Sequence, residues 1–258
     1  MVIRLMRFEK LMIDNHVILR VLLDSVVIEL AKAQAALKAR HINCGDPSGR
    51  QRGASEVDSQ NFLGTLADLV CARILVGYFR KYHLSIGVTR YDDVRTDDFK
   101  DHDQYDIKLS SAEADYLVEI RSSVCIYLSL QAMIRKWQIL GHYITDAKGE
   151  TETAKPFYLR PLYHLSTFAE NRQTQSYQRT SAVELIQRGD LQLYFVGGAT
   201  HDLMMQHGRN EAGQELKQGR AQFRVLNIMD GLDAQEILQT IAGVVVQRKT
   251  IRRSFHDA

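Results

Sequence analysis

The chain is expected to fold as an α/β protein, a mixed sheet flanked by helices, and three features of the sequence carry that expectation. Residues 105–109 and 116–123 alternate apolar and charged side chains with a period of two, as the strands of a hairpin do. Residues 157–165 and 191–197 form apolar runs rich in aromatic and branched side chains, the composition of buried strands. Between and around them lie stretches whose apolar positions recur at three- and four-residue spacing, the mark of helices that pack on one side.

Taken in order, residues 3–40 hold neither Gly nor Pro and end rich in Ala, so a helical N-terminal segment, 1–42, is expected. The stretch 43–58, with three Gly and one Pro, reads as a loop or linker ahead of a main domain at 59–258. Asp58 or Ser59 can cap a second helix to residue 82, with Phe62, Leu66, Leu69, Val70 and Ile74 as its apolar stripe. A short β-like segment at 84–89 and an acid-rich loop at 92–103 lead into the hairpin. A helix at 129–143 follows, then the strands 157–165 and 191–197 with a helix at 181–188 between them. A strand at 223–229 and a helix at 234–246 close the chain. Strands alternating with helices in this way define an α/β sheet.

A net charge of +2 permits a nucleic-acid partner without requiring one. The three cysteines, at 44, 71 and 125, have no CxxC spacing, which excludes a Cys-rich zinc site and argues against a disulfide framework. Cys71 and Cys125 fall in apolar segments and are expected in the core. The apolar tract 17–30 is broken by Arg20, Asp24 and Glu29, so neither a membrane span nor a signal peptide is expected. The expected setting is a reducing cytoplasm, without a membrane partner.

The hairpin holds the chemistry. Tyr105, Ile107 and Leu109 share one face of its first strand, and Tyr116, Val118 and Ile120 one face of its second. The other faces bear Asp106 with Lys108, and Glu119 with Arg121. Strands are normally depleted of Asp, Glu and Lys. A divalent metal held by Asp106, Glu119 and the carbonyl of Ile120, with Arg121 as the cation beside it, accounts for the pattern. Mg²⁺ takes oxygen ligands, keeps some waters, and lowers the pKa of an attacking water while neutralising charge on a phosphate. The simpler alternative is a solvated face with cross-strand ion pairs, each worth roughly 0.2–1 kcal/mol.

The arrangement resembles the PD-(D/E)xK nuclease superfamily. Asp106 matches the first acid, Glu119-Ile120-Arg121 the (D/E)-x-K with Arg for Lys, and Ser122-Ser123 the small residues that follow. Gly64-Thr65-Leu66-Ala67-Asp68 is similar to the G-x-x-G-E of the preceding helix, with Ala for Gly and Asp for Glu. The likeness covers residues 59 to 145. It implies a restriction-endonuclease-like sheet and a Mg²⁺ site, with Mn²⁺ as substitute, held by Asp68, Asp106, Glu119 and Ile120. It implies catalytic roles for Asp106, Glu119, Arg121 and Lys108, with Gln131 or Lys136 reaching in from the following helix. The substrate implied is DNA, cut in restriction or phage defence by a homodimer or a subunit of a defence complex. Arg121 departs from the pattern, because Arg stays protonated and presents a planar fork rather than a compact charge. Either the enzyme works with Arg, or Lys108 or Lys136 supplies the ammonium, or the site is inactive and the fold serves DNA binding or scaffolding.

Other features read more plainly. Asp97, Asp98, Asp101 and Asp103, beside His102, form a solvated loop or border the metal, and Asp106-Ile107-Lys108 is an alternative D-x-K. The nine histidines show no HxH or HExxH. Residues 197–201 read as a strand-to-helix turn, and 171–179 as an exposed connection or a DNA-facing loop.

Overall fold

The computed structural model describes residues 6–41, 53–97, 99–100, 103–145, 151–175, 177, 180–212 and 222–253. The chain opens on two strands, β1 (Arg7–Ile13) and β2 (His16–Leu22), rather than on the helix expected from residue 3. Val17, Ile18 and Val21 favour the pleated sheet, and the pair closes through Asp14-Asn15 with Asp14 at φ 52°, a region Asp tolerates. Helix begins only at α1 (Ser25–Ala39), capped by Asp24, whose side chain accepts from the Val27 amide at 2.9 Å. The helical expectation therefore holds for the second half of the N-terminal segment. Because β2 pairs with β9 (Leu191–Thr200), and α1 shares a core with the next helix, this segment builds the same sheet and core as the rest.

Of the expected linker, 43–52 lies outside the described residues, and 54–58 already belong to α2 (Ala54–Lys81). This helix is long and apolar enough to cross a membrane, yet most of it is buried against the sheet, through Phe62, Leu66, Leu69, Val70 and Ile74 among others. It is a core helix. Next come β3 (Gly87–Arg90), α3 (Tyr91–Val94), β4 (Ile107–Ser110), β5 (Asp115–Ile120), β6 (Ser123–Cys125) and α4 (Leu130–Lys136). The helix expected over 129–143 stops there, since Trp137 is extended and 138–145 becomes β7 (Gln138–Thr145). The branched and aromatic side chains of Ile139, Tyr143 and Ile144 suit a strand, and Gly141 lets the Arg224 carbonyl approach to 2.9 Å of where a Cβ would stand.

The remaining elements are β8 (Phe157–Leu165), α5 (Phe168–Thr174), α6 (Ala182–Arg188), β9, α7 (His201–His207), β10 (Arg209–Ala212), β11 (Gln222–Asn227) and α8 (Ala234–Arg253). Two expectations change here. Of the connection expected over 171–179, residues 171–174 belong to α5, anchored by buried Asn171 and by Arg172 on the Tyr127 carbonyl, while 176, 178 and 179 lie outside the described residues. Strand β9 runs through Gly197 and Gly198 to Thr200 without the expected turn, and Thr200 caps α7.

The architecture is the expected α/β one. An eight-stranded mixed sheet has the order β1-β2-β9-β8-β5-β4-β3, with β6 also on β8, and a three-stranded sheet has the order β10-β11-β7. Strand β5 is antiparallel to β4 and parallel to β8, so the chain between β5 and β8 must cross over, and α4 lies in that crossover. One face of the large sheet packs α1, α2, α6 and α8 on Val118, Phe157, Leu159 and Phe195. The other packs α4, α7 and β7 on Ile18, Tyr158, Leu162 and Val196. Every residue of β8 is buried, and Cys71 and Cys125 are free and buried in the two cores. The Tyr163 hydroxyl donates to the Leu63 carbonyl at 2.7 Å and ties β8 to α2. Tyr163→Phe should cost about 1 kcal/mol, read in urea as a lower midpoint at unchanged slope.

Candidate metal centre

Asp68, Asp106 and Glu119 arrive from three elements. The β4–β5 register sets Ile107 opposite Val118, and one further step sets Asp106 beside Glu119. Asp106 turns its carboxylate across to β5, where Oδ2 accepts from the Ile120 amide. The role expected of Ile120 through its carbonyl is thus joined by one through its amide. Asp68 stands on α2 one turn before Cys71, on the side of that helix that meets the sheet.

The electrostatics of the three are linked. Burial pushes the Asp106 carboxyl well above the usual carboxylate range, and the charges of Asp68 and Glu119 push it further, against the Ile120 amide and Arg121. Burial raises Asp68 to about 7, opposed by Lys38 and Arg90 and assisted by Asp92 and Asp103. Glu119 is raised by burial, opposed by Arg121, raised by Glu152, opposed by Lys155 and raised by Asp103. Acids that raise one another through burial and like charge are a feature of functional sites.

Arg121 is already engaged. Its guanidinium lies 3.0 Å from Glu119 and 2.7 Å from Glu152, and packs 4.8 Å over the Tyr143 ring. Its Nε is buried without an acceptor. Glu152 was not legible as a site residue; it also accepts from the Tyr143 amide at 2.9 Å. Behind Arg121, the buried Arg160 donates to the carbonyls of Gln138 and Arg121, its own pKa lowered to about 9 by burial and by the neighbouring guanidinium.

Other expected members stand apart. Lys108 leans toward the hairpin turn, 3.6 Å from Asp115, away from the Asp106–Glu119 end. Gln131 and Lys136 are exposed on α4 and make no described hydrogen bond or ion pair to the three acids. The acid-rich loop is not simply solvated, because Asp92 is 2.6 Å from Lys38 and 3.2 Å from Arg90. Asp97 is 2.7 Å from Arg95, and Asp103 pairs with Arg95 and lies 3.7 Å from Lys38. Asp98, Asp101 and His102 lie outside the described residues. His164 bonds the Leu128 carbonyl at 2.9 Å, a structural role.

Carboxylate oxygens are the donors Mg²⁺ prefers, and a bound divalent cation would favour the charged form of Asp106, which burial, Asp68 and Glu119 oppose. In this geometry, however, no three His, Cys, Asp or Glu side chains among the described residues stand close enough to hold an ion, and Arg121 occupies Glu119. The donor chemistry fits; a bound ion requires the side chains to close up.

No protein-family model matches the chain, and no solved structure does. An uncharacterized protein of Methanocaldococcus jannaschii, MJECS01, is 25% identical over 242 residues, 87% of this chain and 85% of that one.

Proposed function

We propose that this chain is a Mg²⁺-dependent endonuclease of the PD-(D/E)xK type that hydrolyses DNA phosphodiester bonds in the cytoplasm. Restriction or phage defence is the use proposed, with the chain acting as a homodimer or as a subunit of a defence complex. The observation that carries this reading is the electrostatic link of Asp106, before β4, to Asp68 on α2 and Glu119 on β5: burial first, and then those two charges, hold the Asp106 carboxyl well above the usual carboxylate range. Asp68, Asp106, Glu119 and the Ile120 carbonyl would hold the ion. When bound, Mg²⁺ supplies charge neutralisation and an acidified water. Arg121, clasping Glu119, sets the direction of that carboxylate.

A second reading has an observation of its own. With Glu119 and Glu152 both on Arg121, the site balances much of its charge without metal, which favours an inactive nuclease-like fold that binds DNA or scaffolds a complex.

Supercoiled plasmid separates the two. Nicking with Mg²⁺ or Mn²⁺, abolished by EDTA, is the expected result. DNA binding with no cleavage under either metal would establish the second reading, and neither binding nor cleavage would reject both.

A further inference from the structure

We infer that β1 is a homodimer seam: two copies of this chain join β1 to β1, antiparallel, about a two-fold axis through Phe8. The large sheet then runs on from one copy into the other. The inference goes beyond the nuclease reading and does not need it; it gives the homodimer proposed there a place on the surface. It starts from an open sheet edge. Strand β1 ends the eight-stranded sheet, and among the described residues β2 is its hydrogen-bonded neighbour, on one side only.

An unpaired edge normally carries a device that keeps other strands off, such as Pro, a bulge or an outward Lys. Strand β1 has 7 residues in unbroken register with β2 and no Pro. Its one Lys, Lys10, is drawn aside to Gln235 of α8 at 3.2 Å. Arg7, Phe8, Glu9, Lys10 and Met12 are exposed. The hairpin closes through two residues, so Ile13 and His16 form a hydrogen-bonded pair, and the backbone groups of Leu11, Glu9 and Arg7 also turn to β2. Those of Phe8, Lys10 and Met12 point outward. The charges then choose the register. With Phe8 on the axis, the two Phe8 residues exchange backbone hydrogen bonds. Arg7 of each copy stands opposite Glu9 of the other in a non-hydrogen-bonded pair, where side chains approach most closely. Glu9 already lies 3.2 Å from Arg20 of β2, so a row of alternating charge crosses the seam on one face. The Phe8 rings meet on the other face, the one that bears Val21 and α8. An axis at Glu9 or at Lys10 would instead oppose like charges.

Sedimentation equilibrium of the full chain at about 100 µM tests the seam, since a contact of one strand a side belongs with the small, transient interfaces. The wild type should approach twice 29.5 kDa. Arg7→Glu sets Glu against Glu across the axis, and Glu9→Arg sets Arg against Arg. Each variant alone should associate about 100-fold more weakly and sediment as a monomer. Mixed in equal amounts the two should dimerise again, because every charge at the seam then meets its opposite. Phe8→Pro removes an outward donor, which an edge strand tolerates, and should give a monomer with unchanged far-UV circular dichroism. Should Glu9→Arg fail to fold beside Arg20, Arg7→Glu and Phe8→Pro carry the comparison. A wild type that stays monomeric overturns the inference. So does a dimer that survives Arg7→Glu or Phe8→Pro, or a mixture of folded charge variants that stays monomeric. The readout is mass rather than cleavage, so failure here leaves the nuclease reading to the plasmid experiment.

Discussion

Asp106→Asn should abolish metal-dependent nicking and, at pH 8, leave the protein more stable than the wild type. The two effects share one cause. Burial, Asp68 and Glu119 together hold the Asp106 carboxyl well above its ordinary value of 3.8 in the folded state. A carboxyl whose folded pKa is raised binds its proton more tightly folded than unfolded. Its contribution is therefore fully favourable below the unfolded value and is lost as pH climbs toward the folded one. Asp68, raised from 3.8 to about 7, marks the window, so wild-type stability should fall between about pH 4 and pH 7 from these acids. Asparagine keeps an oxygen for the Ile120 amide and removes the charge. The gain should be plain at pH 8 and should vanish near pH 4. Thermal unfolding of both proteins at pH 4, 6 and 8 tests this. A variant less stable than wild type at pH 8, or a wild type whose stability rises from pH 4 to 7, contradicts the burial of a charged Asp106 beside Asp68 and Glu119. Adding Mg²⁺ at pH 8 should raise the wild-type melting temperature more than that of the variant, since a ligand that binds only the folded state stabilises it.

How far the site could be read in advance follows from which interactions are local. Asp106 and Glu119 are separated by a tight hairpin, and period-two alternation fixes which side each faces once the register is known. Asp68 was legible because helical spacing puts it on the side of α2 that meets the sheet. Glu152 and Lys155 were not, since they lie in an irregular segment, 151–156, with no periodicity to read. One signal was present there: the residue before Pro156 is confined to extended backbone, which marks Lys155 as leading into a strand. The pairing of Arg121 with Glu152, 31 residues on, depends on β5 and β8 being neighbours, a fact of the tertiary fold. The network of Asp92 with Lys38 and Arg90 is likewise non-local, so a loop that looked solvated is tied to α1. At the N-terminus the error ran the other way. The run from Val17 to Leu22 offers helical spacing and strand-forming side chains together, and a turn without Gly or Pro concealed the hairpin. There tertiary pairing with β9 decided the outcome.

Gly197→Ala should be the most damaging small substitution in the chain. Gly197 sits in β9 at φ 109°, backbone that a side-chain-bearing residue rarely adopts, at a cost of roughly 1–3 kcal/mol. Its Cβ would also stand 2.0 Å from the Leu232 carbonyl oxygen and 2.7 Å from the Asp233 carbonyl carbon, both rigid backbone. Neighbouring Gly198 exchanges hydrogen bonds of 2.9 Å in both directions with Leu232, so the strand cannot retreat without breaking that bridge. Strain and clash together approach the whole margin of an ordinary domain, about 5–15 kcal/mol, and the variant should be largely unfolded or insoluble at 37 °C. Gly64→Ala is the matched control. Gly64 lies inside α2, one turn before Asp68, and nothing stands within 4 Å of its would-be Cβ. A helix gains up to about 1 kcal/mol from Ala in place of Gly, so this variant should melt at or above the wild-type temperature. An unaltered denaturation midpoint for Gly197→Ala would mean that β9 does not press on 232–233 as placed. If Gly64→Ala folds well yet nicks poorly, Gly64 serves the approach of DNA to Asp68 rather than the packing of α2.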